Sequence, residues 1–179
     1  MNSDQHVLDS MRHLAEYYEM EGRYQESHDI YQDMLERVTE HTEEDEEGKK
    51  DLKISEIHTS LGMLAQKYGK YEKALEHLEM SHLIFKKLSK LNITDKSFYQ
   101  KNDLMIANCM CKTAQVKISL GKLKEAETDI IESCYIYDKW SELLNDENES
   151  ELSTSWIFTS SFDNVCNNLN SGIIEGKKK

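Results

Sequence analysis

The 179-residue chain contains no proline, where average usage of about 5% would give roughly nine. Proline is the commonest helix breaker, so its absence points to an all-helical chain. Arginine is almost as scarce: Arg12, Arg23 and Arg37 are three of 22 basic residues, which leaves little for bidentate phosphate or guanine recognition. Positive charge is short as well, with 22 Lys and Arg against 34 Asp and Glu and a formal net charge of −12. That balance argues against nucleic acid as a main partner, because affinity for a phosphate backbone comes largely from neutralising it with cations. The chain has no apolar run long enough for a membrane span, and its beginning, MNSDQHVLDSMRH, lacks a basic stretch followed by an apolar one. A cytoplasmic protein without membrane insertion is the expectation. The four cysteines, Cys109, Cys111, Cys134 and Cys166, show no pairing framework, and a reducing compartment would keep them as thiols.

Glycine is scarce too, and three of the seven mark an internal repeat. Aligned on Gly22, Gly69 and Gly121, the segments LAEYYEMEGRYQESHDIYQDM, LGMLAQKYGKYEKALEHLEMS and TAQVKISLGKLKEAETDIIES are one unit written three times. A small residue (Ala15, Gly62, Ala114) stands seven positions before each glycine, a second (Ser27, Ala74, Ala126) five after it, and a large apolar one (Tyr31, Leu78, Ile130) four further on. Small residues let two antiparallel helices approach closely, the large one fills the seam, and the glycine supplies the left-handed conformation that ends the first helix.

The pattern L-G-x-x-Y, turn glycine, A-x-x-x-F resembles the tetratricopeptide repeat, over about residues 8–144. It is most specific in the second unit, through Leu61-Gly62, Gly69-Lys70-Tyr71 and Ala74; in the third, Lys117 and Leu123 stand where the first has Tyr18 and Tyr24. The resemblance implies an all-α solenoid of three antiparallel helix hairpins. The glycines are 47 and 52 residues apart, against a standard period of about 34. The surplus is expected after each turn, in second helices extended over about 24–42, 71–91 and 123–144, as in the long-repeat branch exemplified by kinesin light chains.

Three connectors follow. Residues 43–47 are five consecutive acids, a run that repels itself and reads as a solvated loop or a frayed helix end. Residues 92–97 form the second, with Ser97 placed to cap a helix beginning at Phe98, and residues 145–150 form the third. Beyond them Phe158, Phe162, Val165 and Leu169 share one helical face. The expected organisation is three hairpins over 1–150, a C-terminal capping helix over 151–170 and a disordered tail over 171–179. A fourth, degenerate repeat would give the same pattern at 151–170.

Seven histidines and four cysteines invite a search for metal ligands, and spacing supplies no set. Cys109 and Cys111 lie about 200° apart on a helix. His77 and His82 are five apart, and His13 and His28 lack a third partner by spacing. Nucleophile elbows, phosphate-cradling loops and dinucleotide fingerprints are missing from the sequence. The expectation is a protein that is not an enzyme, with no catalytic, cofactor-binding or metal residues and no cofactor.

The family resemblance implies that first helices line a concave groove. Its lining would be Asp9, Arg12, His13 and Glu16, then Glu56, Thr59, Ser60 and Met63, then Asn108, Cys111, Lys112 and Gln115. Some members of the family clamp the C-terminal carboxylate of a heat-shock chaperone with Lys, Asn and Arg. The corresponding positions here are Arg12, Glu16, Ser60, Asn108 and Lys112, and Glu16 would repel such a ligand, which disfavours a chaperone tail. The expected function is an adaptor or scaffold binding a basic or mixed-charge segment of a partner protein. The alternative is a permanent structural subunit of a larger cytoskeletal or motor-associated assembly, marked by an apolar patch near Ile84 and Phe85 or Ile136 and Trp140. If residues 43–47 form a solvated loop, their deletion leaves helical content and melting temperature nearly unchanged by circular dichroism, and a collapse in stability would show packed helix instead.

Overall fold

A computed structural model describes residues 3–41, 48–90 and 96–146. Among them are six helices and no strand: α1 Ser3–Met20, α2 Tyr24–His41, α3 Lys49–Lys67, α4 Tyr71–Leu88, α5 Lys96–Ser119 and α6 Leu123–Asp146. Each helix packs against the next in sequence, and α3 also packs against α5, so successive hairpins stack as in an all-α solenoid.

The hairpin turns are three copies of one device. Gly22, Gly69 and Gly121 have φ of 72°, 69° and 74°, in the left-handed region. Around each, the glycine N–H donates to the carbonyl three residues back (Glu19, Gln66, Ile118), and the following N–H (Arg23, Lys70, Lys122) donates to the carbonyl five back (Tyr18, Ala65, Lys117). This is the Schellman arrangement, which satisfies the last carbonyls of the first helix while reversing the chain.

Beyond the turn, the small residues sit where the helices cross. Ala15 and Ser27, Ala74, and Ala114 and Ala126 are fully buried, and Tyr31, Leu78 and Ile130 are buried beside them. At Gly62 the helices approach so closely that a Cβ there would lie 2.7 Å from Leu78 Cγ and 3.2 Å from the Ala74 carbonyl oxygen. The core forms three clusters in sequence. Ala15, Tyr31, Met34, Val38, Ile57, Leu61 and Leu64 join α1, α2 and α3. Ala74, Leu78, Cys109 and Val116 join α4 to α5. Cys111, Ala114, Ala126 and Ile130 join α5 to α6.

Several expectations about boundaries change. Helix α5 begins at Lys96 rather than Phe98, and α6 runs through Asp146, taking in Asn145 and Asp146 from the expected connector. The extra repeat length is shared by first and second helices: α1, α2 and α4 have 18 residues, α3 has 19, and α5 and α6 have 24 each. Long second helices keep their apolar face covered only if the first helices lengthen with them. At the end of α4, buried Phe85 and Leu88 stand near the start of α5, where the Asn102 amide donates to the Phe85 carbonyl at 3.1 Å. The acidic run 43–47, the capping helix expected over 151–170 and the tail over 171–179 lie outside the described residues.

The crossing geometry yields a test with two opposing terms. Replacing helical Gly62 with Ala gains helix propensity of about 0.8–1 kcal/mol. The Cβ contact with Leu78 and the Ala74 backbone adds an overpacking cost of about 1–3 kcal/mol. Gly62→Ala is expected to lower the denaturation midpoint, and Ala74→Leu and Ala126→Leu to lower it further; an unchanged or raised midpoint for all three would refute the close crossings.

Candidate functional site

First helices α1, α3 and α5 form one layer and second helices the other. Ion pairs tie α1 to α3. Arg12 Nη2 lies 3.4 Å from Glu56 Oε2, and the Lys67 ammonium pairs with Glu19 at the turn end. Glu19 also accepts from the Tyr31 hydroxyl at 3.2 Å, which links the same carboxylate to α2. Burial and the neighbouring Glu19 carboxylate hold the Tyr31 phenol well above its ordinary pKa, so it remains a donor.

The twelve expected groove residues divide into three groups by exposure. His13 and Glu16 are exposed, while Asp9, Arg12, Glu56, Ser60, Met63, Asn108, Lys112 and Gln115 are half-buried. Asp9 accepts from the Gln5 amide at 2.9 Å, and Ser60 donates to the Glu56 carbonyl at 3.2 Å. Thr59 and Cys111 are buried, and this corrects their assignment to a groove. The Thr59 hydroxyl lies 2.7 Å from that of Ser81, which itself donates to the Ser55 carbonyl at 2.9 Å. The Cys111 thiol donates to the Ser133 hydroxyl at 3.2 Å. Both residues stand three before their repeat's small residue, a position that faces the second helix of its own hairpin. Arg12 holds that position in the first repeat, and its length carries the guanidinium out to Glu56.

Charge on this layer is uneven. The Arg12–Glu56 pair is internally neutral, which leaves Asp9 and Glu16 as anions on α1. On α5, Lys112 pairs with no described carboxylate, and burial holds its ammonium below the usual lysine pKa. The chemistry offered is hydrogen bonding and charge recognition. The Cys109 thiol is a poor nucleophile: it is buried, donates to the Leu78 carbonyl at 3.2 Å, and burial pushes its pKa up to about 11.

Sequence spacing missed a histidine pair. His58 on α3 and His77 on α4 face each other with Nδ1 atoms 3.1 Å apart and ring centroids 5.4 Å apart. At that separation the nitrogens point at one another, so one ring donates an N–H to the other's lone pair. The legible signal was place in the repeat, since His58 is one helical turn before Gly62 and His77 three residues after Ala74. Among the described residues, no group of three or more His, Cys, Asp or Glu is arranged to hold a metal ion.

Of the apolar patches expected near Ile84 and Phe85 or Ile136 and Trp140, Phe85 and Trp140 are buried and Ile84 and Ile136 half-buried, because these side chains meet the adjoining helices. Exposed apolar residues on second helices are instead Met80 and Leu83 on α4 and Leu123, Ile131 and Tyr135 on α6.

Residues 7–45, which span the first hairpin and its turn, match the family model described as tetratricopeptide repeat. This stretch is similar to a tetratricopeptide repeat. Such repeats are generally protein-interaction modules without catalytic chemistry. The two later tetratricopeptide-like hairpins reproduce the first in turn geometry and crossing residues. No curated protein matches the chain. None of the described helices is long and apolar enough to cross a membrane.

Burial also sets a pH dependence. It lowers the pKa of His58, His77 and His82, with His77 further depressing His58, His28 and Lys73 opposing the charge on His77, and Lys86 that on His82. A histidine depressed in the folded state binds protons more readily when unfolded, so its contribution to stability is present above about pH 6.5 and is lost as pH falls toward the folded value. Melting temperature is expected to fall between about pH 7.5 and about pH 5, and His58→Gln/His77→Gln to show a smaller loss over that interval. Parallel pH profiles for the two proteins would contradict the role of the pair.

Proposed function

We propose that the chain is a non-enzymatic adaptor whose first-helix layer is the concave face of the solenoid and binds an extended segment of a partner protein. The observation that carries this reading is the division of labour between layers. The repeat's core signature occupies the hairpin seams, while α1, α3 and α5 carry half-buried or exposed polar side chains at Asp9, Arg12, His13, Glu16, Glu56, Ser60, Asn108, Lys112 and Gln115. Recognition along such a row uses several repeats together. A mixed-charge segment fits best: its basic side chains would meet Asp9 and Glu16, and an acidic group would meet Lys112. A cytoplasmic setting, expected from the sequence, goes with this reading.

A permanent structural subunit is the second reading, favoured by Ile131 and Tyr135, which are 64% and 71% exposed on α6. Affinity purification from native cells separates the two, since stoichiometric partners that survive high salt support the subunit and salt-sensitive ones the adaptor. For the adaptor, Asp9→Lys/Glu16→Lys and Lys112→Glu are expected to deplete the co-eluting proteins, while Glu36→Lys/Glu127→Lys on second helices retains them. The control carries the same charge change as the first variant, so equal depletion would reduce the effect to net charge and defeat the reading.

A further inference from the structure

On the second-helix side, α4 and α6 form the walls of a cleft of about 340 Å³ with α5 as its floor. The floor is Met110 and Thr113, both buried. Leu83, 61% exposed, forms the apolar lip on α4. Glu79 on α4 and Glu132 on α6 stand on opposite walls. A single lysine enters the cleft, Lys117, and its ammonium lies 2.7 Å from Asp129 and 3.9 Å from Glu125. Neither Glu79 nor Glu132 pairs with a described cation, and both are exposed. His82, also in the wall, adds no positive charge at neutral pH, because burial and Lys86 keep its imidazole unprotonated.

The repeat provides an internal comparison. By the offsets of 47 and 52 residues, the positions of Glu79 and Glu132 correspond to Gln32 on α2 and Met80 on α4, and that of Met110 to His58 on α3. The carboxylate pair and the apolar floor therefore belong to this one cleft and are not a by-product of stacking hairpins.

We infer that the cleft between α4 and α6 is a second protein-docking site, fitted to a basic amphipathic segment that lays an apolar side chain on Leu83 and Met110 and flanking lysines or arginines against Glu79 and Glu132. The complementarity is of both kinds at once. An uncharged apolar ligand would leave two carboxylates facing each other across a narrowed cleft. A cation alone would leave Leu83 and Met110 uncovered. Acidic segments would be repelled.

The probe is a short fluorescein-labelled Lys/Leu/Ala peptide with lysines flanking a leucine, titrated with the full chain by anisotropy beside Glu/Leu/Ala and Lys/Ser/Ala versions. The Lys/Leu/Ala peptide is expected to bind and the Glu/Leu/Ala peptide to stay free. Glu79→Lys/Glu132→Lys is expected to weaken binding about tenfold or more, and Leu83→Ser to weaken it too, towards that of the Lys/Ser/Ala peptide. Asp9→Lys/Glu16→Lys and Glu36→Lys/Glu127→Lys carry the same charge change outside the cleft and are expected to have much smaller effects. Three results would each overturn the inference: a Lys/Leu/Ala peptide that stays free, equal losses in all three charge-reversed variants, or a dominant loss in Asp9→Lys/Glu16→Lys, which would assign the peptide to the first-helix layer.

Discussion

Two helices can lie as close together as these hairpins require only where side chains are nearly absent from the crossing. Ala15 against Ser27, Gly62 against Ala74 and Ala114 against Ala126 meet that condition at the same place in each repeat. Each pair fixes the separation of its hairpin, and the separation decides which neighbouring positions are sealed. Tyr31, Leu78 and Ile130 fill the seam one turn on, and Met34, Ser81 and Ser133 follow. Most hydroxyl and thiol groups in this seam have a partner, Thr59 with Ser81, Cys111 with Ser133 and Cys109 with the Leu78 carbonyl, while the Ser27 hydroxyl at the first crossing is buried with none. A buried polar group left unpaired at such a spacing would cost about 1–3 kcal/mol.

Once the seams have taken the small and apolar residues, charge is sorted between the two outer surfaces. First helices link to one another through Arg12–Glu56 and Lys67–Glu19, which set the lateral register of α1 and α3 more than they add stability, since partly exposed pairs contribute about 0–1 kcal/mol. Second helices carry exposed apolar residues interspersed with carboxylates, and Lys117 is held between Asp129 and Glu125. The two described surfaces therefore differ: carboxylates are offset by Arg12 and Lys67 on one, and Glu79 and Glu132 stand round an apolar cleft on the other.

The hairpins were legible in the sequence because their requirements admit few substitutes. A positive φ at a helix end selects glycine, and a close crossing selects Gly, Ala or Ser, so the spacing of Gly22, Gly69 and Gly121 relative to their small residues specified turns and crossings together. The candidate site was legible only in part. Each residue rotates a helix by about 100°, and an error of one position moves a side chain from groove to seam; Thr59 and Cys111, at equivalent places, were misassigned in the same way. Side-chain pairs between helices follow no helical period: Arg12 and Glu56 are 44 residues apart in different repeats, and His58 and His77 are 19 apart across the turn of one hairpin.

The division of the core into three clusters, each shared only by adjoining helices, bears on how the molecule comes apart. With no central mass of apolar side chains, loosening α6 strips the cover from Ala114 and Cys111 but leaves Tyr31, Met34 and Leu61 packed as before. Opening can travel along the stack one hairpin at a time, so amide exchange should be graded along the chain instead of uniform, slowest in the α3–α4 hairpin, which has a described hairpin packed on either side. A ligand spanning α4 and α6 would then act as a clasp on that gradient, slowing exchange in the third hairpin far more than in the first.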